Sequence, residues 1–161
     1  MRALTVKQPW AFAIVHLGKD VENRNWEPPR RILGQRIAIH AGKSFDHDGL
    51  QWIREMLQND GDSALLKKLE TARFERGAII GTSILGGWAA EMGGGAIRFV
   101  TPAPDRGYGR RLVGSRWAAR EQYQWEMARV EALPEPVFCR GALSLWTIPE
   151  DSMRQLSAMI K

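Results

Sequence analysis

The chain has 161 residues and a mass of 18.2 kDa, with 44% hydrophobic and 25% charged residues and a net charge of +5. That length and balance fit a single domain, residues 1–161, with its own core, and exclude collagen, coiled coil and bulk disorder. No apolar run approaches the roughly 20 residues of a bilayer span, so no membrane partner is expected. The lone cysteine, Cys139, forms no internal disulfide, and the first nine residues carry no signal-peptide core. Together these predict a cytoplasmic chain.

Leu4–Val6 reads as a short strand. Pro9 suits the start of a helix over 10–17, and Gly18 supplies its left-handed stop. Residues 20–26 alternate, which places Asp20, Glu22, Arg24 and Trp26 on one strand face and Val21, Asn23 and Asn25 on the other. After Pro28-Pro29, residues 35–41 form a strand with Ile37, Ile39 and Ala41 on one face and Arg36, Ala38 and His40 opposite. Asp46 or Asp48 can cap a helix carrying Leu50, Ile53 and Leu57, and a second helix starts near Ser63. Residues 45–76 therefore read as a helical insertion.

Residues 77–85 are β-branched and bounded by glycine, as a central strand would be. A glycine-rich turn at 92–95 leads to a short strand over 96–100, then to a long loop with two prolines over 101–114. Residues 122–132 alternate as a strand, with a helix from Ser115 as the competing reading. Pro134 and Pro136 should end that pattern, residues 139–148 form one more strand, and Met153, Leu156 and Ile160 mark a C-terminal helix. The fold class this predicts is α+β, a small, mostly antiparallel β-barrel with peripheral helices.

The positive charge is concentrated. Between Ala96 and Arg120 lie six arginines (Arg98, Arg106, Arg110, Arg111, Arg116 and Arg120) against one acid, Asp105. That segment carries the whole excess of the chain. Arginine forks to phosphate and stacks on bases, and Tyr108 and Trp117 are interleaved with these six, the combination that tracks single-stranded nucleic acid. The bland alternative is a solvated Arg-rich loop over 101–120.

Other chemistries find little support. There is no GxxxxGK[ST] or GxGxxG phosphate loop, and His16, His40 and His47 lack metal-site spacing. No cofactor and no metal are expected. Asp46-His47-Asp48 fits a capped turn, and Cys139 a packed thiol. The segment 18–26 is different: Lys19 sits at a turn, and Glu22, Arg24 and Trp26 share a face. A carboxylate, a guanidinium and an aromatic ring so placed could hold a polar planar ligand, or Glu22 and Arg24 could form a surface ion pair.

These residues carry a family resemblance. LTVKQPWAFAIVHLGKDVENRNW followed by GQRIAIHAG, then GAIIGTSIL and PVFCRGALSLW, resembles the ASCH family of PUA-like domains, with its G-K-x-x-E-x-R and I-x-I-H-A motifs in the family's order. The resemblance implies a PUA-like barrel and a cleft lined by Lys19, Glu22 and Arg24, with Gln8, Trp10, Trp26 and His40 as neighbours. It implies binding of RNA or another nucleic acid, with a modified nucleoside as a possible ligand. The oligomeric state stays open.

Two other functions fit the residues. Some small ASCH proteins resemble amidohydrolases acting on acetylated cytidine through a lysine, a threonine and a glutamate; others have been described as ribonucleases. Here Lys19 matches the lysine, while Glu22 stands where the threonine would be. In that reading Lys19 is an electrophile or proton donor and Glu22 a general base. The remaining alternative is a protein-interaction module whose cleft is unused.

Overall fold

The computed structural model describes residues 1–91, 95–102 and 114–160. In chain order the elements are β1 (Arg2–Gln8), α1 (Trp10–His16), β2 (Val21–Arg24), a 3-10 turn (Arg30–Ile32), β3 (Arg36–Phe45), α2 (His47–Asn59) and α3 (Ser63–Glu70). There follow β4 (Ala78–Glu91), β5 (Ile97–Val100), β6 (Tyr123–Phe138), β7 (Leu145–Thr147) and α4 (Glu150–Met159). The strand order is β2-β6-β4-β3-β1-β7, with β5 added on β4. The pairs β1/β7, β2/β6 and β4/β5 are antiparallel. The α+β class read from the sequence is the one observed.

Packing divides the chain into two compact units, one of residues 1–18, 38–82 and 131–161, the other of residues 19–37 and 83–130. The first unit is built on an apolar cluster of Ala3, Ala38, Ile79, Val137, Trp146, Ile148 and Leu156, with Leu133, Met153 and Ile160 against it. Its helix α2 starts where the sequence places a cap: Asp46 Oδ1 accepts from Gly49 N at 2.8 Å. Ile53 and Leu57, four apart on one face, are fully buried. Burying each contributes roughly 1.5–3 kcal/mol.

The core of the second unit is aromatic. Trp88 and Trp125 are buried there with Trp117, Val21, Leu85 and Met127. Trp88 meets Tyr123 edge-on, with ring centroids 5.1 Å apart.

The structure corrects four boundaries. Strand β4 continues past Gly86-Gly87 instead of ending at Leu85. A Cβ at Gly87 would lie 2.5 Å from Val100 O, so the glycine is where β5 and the following residue press on β4. Strand β6 runs through Pro134 and Pro136. Among the described residues, β2 pairs with Tyr123–Glu126 and no other strand is ordered on that edge of β6. Prolines two apart in a strand direct their missing N–H to the same edge, so one edge of the ladder can tolerate both.

Of residues 139–148 only Leu145–Thr147 form strand. Gly141 lies against the His40 ring, where a Cβ would sit 2.4 Å from Cε1, and Ser144 takes a φ of 61°. That close approach takes the chain out of an extended path. No helix starts at Ser115, because Asn23 captures the backbone there, as described next.

Candidate functional site

The segment after α1 is shaped by Gly18, whose φ of 71° ends the helix and turns the chain into β2. Lys19, at that turn, is 2% exposed and Glu22 is 7% exposed. Lys19 Nζ donates to Glu22 Oε2 at 2.9 Å and also to Val21 O. Arg24 Nε pairs with the other oxygen, Oε1, at 3.1 Å. One buried carboxylate therefore lies between two cations, and the three together carry one net positive charge.

The ion pair that the sequence left open is present, but it is buried rather than on a solvent face. Arg24, at 21% side-chain exposure, is the member that reaches solvent. Burying such charges is tolerated only when each is paired and hydrogen-bonded. Glu22 thus orients the Arg24 guanidinium, and Lys19 anchors Glu22. Trp26 lies beyond the end of β2; its ring meets Trp125 edge-on at 4.5 Å and its carbonyl accepts from Trp125 Nε1 at 3.1 Å.

Gln8, Trp10 and His40 belong to the first unit. Gln8 is fully buried: Nε2 donates to Glu75 O at 2.8 Å, and Oε1 accepts from Phe12 N at 3.0 Å. It lines a cavity of about 100 Å³ together with Phe12, His16 and Arg73. Trp10 Nε1 donates to Asp46 Oδ2 at 2.8 Å. That bond, then the one from Gly49 N, holds the Asp46 carboxyl below its ordinary range.

His40 is 2% exposed. Its Nε2 lies 3.1 Å from Cys139 O, which can only accept, so Nε2 carries the proton and Nδ1 accepts from Thr5 Oγ1 at 3.3 Å. Thr5 Oγ1 in turn accepts from Trp146 Nε1 at 2.9 Å. Burial pushes the His40 pKa down, against a smaller upward effect of the Cys139 carbonyl. Burial also pushes the Cys139 thiol up, as befits a packed thiol. Among the described residues, no group of three or more His, Cys, Asp or Glu side chains is placed to hold a metal.

Of the six arginines, Arg106, Arg110 and Arg111 lie outside the described residues. Arg98, Arg116 and Arg120 are exposed. The Arg98 guanidinium lies over the Trp88 ring at 5.5 Å, and that of Arg116 over Trp117 at 5.6 Å. Their segment is stapled to β2 by residues that the sequence reading did not single out. Asn23 Nδ2 donates to Trp117 O at 2.8 Å, and Asn23 Oδ1 accepts from Ala119 N at 2.9 Å. Ser115 Oγ donates to Asp20 Oδ1 at 2.5 Å. Only the alternation that puts Asn23 opposite Glu22 hinted at a separate role for it.

No family model and no curated protein matches the chain. Among solved structures, it is similar to two crystal structures of ZmASCH from Zymomonas mobilis. One, of a tyrosine-to-phenylalanine mutant, matches at 16% identity and a TM-score of 0.49, covering 98% of this chain and 96% of the other. The second, a serine-to-alanine mutant, matches at 15% identity and a TM-score of 0.49, covering 98% of this chain and 94% of the other. Likenesses at this level carry nothing about activity.

Proposed function

We propose that the chain is a nucleic-acid-binding domain of ASCH type that takes RNA. The observation that carries this reading is the fixing of an arginine-rich segment to a strand: Asn23 and Asp20 hold residues 115–119, while Arg116 and Arg120 stay exposed. A guanidinium on an ordered backbone loses less freedom on meeting phosphate than one on a free chain. Arg24, oriented by Glu22, offers one more planar donor for a phosphate or a base edge.

The test is binding of a labelled single-stranded RNA across a salt series. The logarithm of the affinity should fall with log salt by about 0.7 per phosphate neutralised. Replacing Arg110 and Arg111, or Arg116 and Arg120, by alanine should flatten that slope. Salt-independent binding, or a slope that survives both double changes, overturns the reading.

The contact of Lys19 with Glu22 favours one second reading, hydrolysis of an acylated nucleoside with Lys19 as proton donor and Glu22 as base. Both Glu22 oxygens already lie against cations, Oε2 accepting from Lys19 and Oε1 ion-paired with Arg24, so water activation would require one of them to be released. Turnover of acetylcytidine that vanishes in Lys19→Ala and Glu22→Ala would establish it. Absence of turnover in the intact protein removes it.

A further inference from the structure

We propose that a cavity in the second unit, between β5 and residues 114–124, receives one base of a single-stranded nucleic acid. The proposal rests on the nucleic-acid reading above and adds a site separate from Lys19, Glu22 and Arg24. The cavity holds about 520 Å³ and is lined by Glu91, Ile97, Ser115, Arg120 and Gln124 among small residues. That volume lies within the roughly 300–1,000 Å³ of small-molecule sites.

The register of β4 and β5 supplies a ring beside it. Ala89 faces Phe99 and Glu91 faces Ile97 across the ladder. Alternation therefore puts Ala89, Glu91, Ile97 and Phe99 on one face; of these Ala89, Glu91 and Ile97 line the cavity, and Ala90 borders it as well. Ile97 is 49% and Phe99 44% exposed. Phe99, exposed and directly across the ladder from the cavity-lining Ala89, is a stacking surface for any base.

The polar groups supply the rest of the recognition. Gln124 Nε2 donates one N–H to Ala119 O at 3.1 Å, which leaves its second N–H to donate and its carbonyl oxygen to accept. The Glu91 carboxylate is a second acceptor. The Glu91 carboxylate, which only accepts, favours a base that carries an exocyclic amine, such as cytosine, over uracil, which has none. Arg120 stands on the same wall for a phosphate, in a segment whose only acid is Asp105. A purely apolar protein partner would use Ile97 and Phe99 but would leave Glu91, Gln124 and Arg120 without a role.

The experiment compares labelled single-stranded oligocytidylate and oligouridylate on the full chain, in the wild type and in Phe99→Ala, Phe99→Leu and Glu91→Gln. Phe99 and Glu91 are exposed, and thermal melts check that each variant is folded. Both Phe99 variants should weaken binding by about five-fold or more, since leucine keeps apolar area but cannot stack. Cytidylate should bind tighter than uridylate, and Glu91→Gln should narrow that gap. If the two oligonucleotides bind alike and Phe99→Leu matches the wild type, the cavity proposal is overturned while RNA binding stands. If the wild type binds neither at low salt, the nucleic-acid reading fails and takes the cavity proposal with it.

Discussion

Asn23 spends its whole amide on one short stretch of backbone around Trp117, donating to Trp117 O at 2.8 Å and accepting from Ala119 N at 2.9 Å. A side chain that meets both a carbonyl and an N–H holds that backbone as a strand partner would. It also withdraws the backbone groups that a helix through 115–119 would need. The orientation of Arg116 and Arg120 therefore depends on a residue of β2.

Asn23→Ala should remove both part-buried hydrogen bonds to the 117–119 backbone and cost about 1–3 kcal/mol. Chemical denaturation gives that loss. RNA affinity should fall in the same variant although no charge has changed.

Glu22→Gln should be among the more destabilising changes in the chain. It removes the carboxylate charge that Lys19, 2% exposed, is paired with, and losing one partner of a buried pair costs roughly 3–5 kcal/mol. Replacing Lys19 by Met together with Glu22→Leu should recover part of that loss, because the buried charge is then gone as well. Urea midpoints of the single and double variants measure the difference.

The buried His40 should make the protein less stable in mild acid. Its pKa lies below the ordinary 6.5, chiefly through burial, so the folded chain holds it neutral where the unfolded chain binds a proton. Stability is therefore fully present above about pH 6.5 and falls as pH is lowered through the range beneath it. His16 is shifted in the same direction, first by burial and then by Lys68, and adds to the slope. His40→Gln should shallow the fall in melting temperature between about pH 7 and pH 5; an unchanged slope would remove His40 as its source.

Gly141→Ala probes the same cluster by shape alone. The added Cβ would meet His40 Cε1 at 2.4 Å and Thr5 Oγ1 at 2.9 Å, and the His40 ring is locked between Thr5 and Cys139. Overpacking of this kind costs about 1–3 kcal/mol. Gly61→Ala, with open space around it, should cost only its φ strain, so a melt of both variants separates crowding from backbone preference.

Local pattern was enough wherever the deciding force is local. The Asp46 cap, the Ile53 and Leu57 stripe, the stop at Gly18 and the alternation of β2 follow from spacing, capping chemistry and backbone sterics within a few residues. The concentration of arginine over 96–120 is likewise a property of the chain. Tertiary structure decided what spacing leaves free. Gly87 lies inside a strand because β5 presses on it, and Pro134 and Pro136 lie in β6 beyond the stretch, Tyr123–Glu126, with which β2 pairs among the described residues. Whether Glu22 and Arg24 form a surface pair or a buried cluster depends on what covers them, and Asn23's hold on Trp117 spans 94 positions of sequence. Hydrogen bonds and burial act through space, so one sequence pattern serves either outcome until the distant partner arrives.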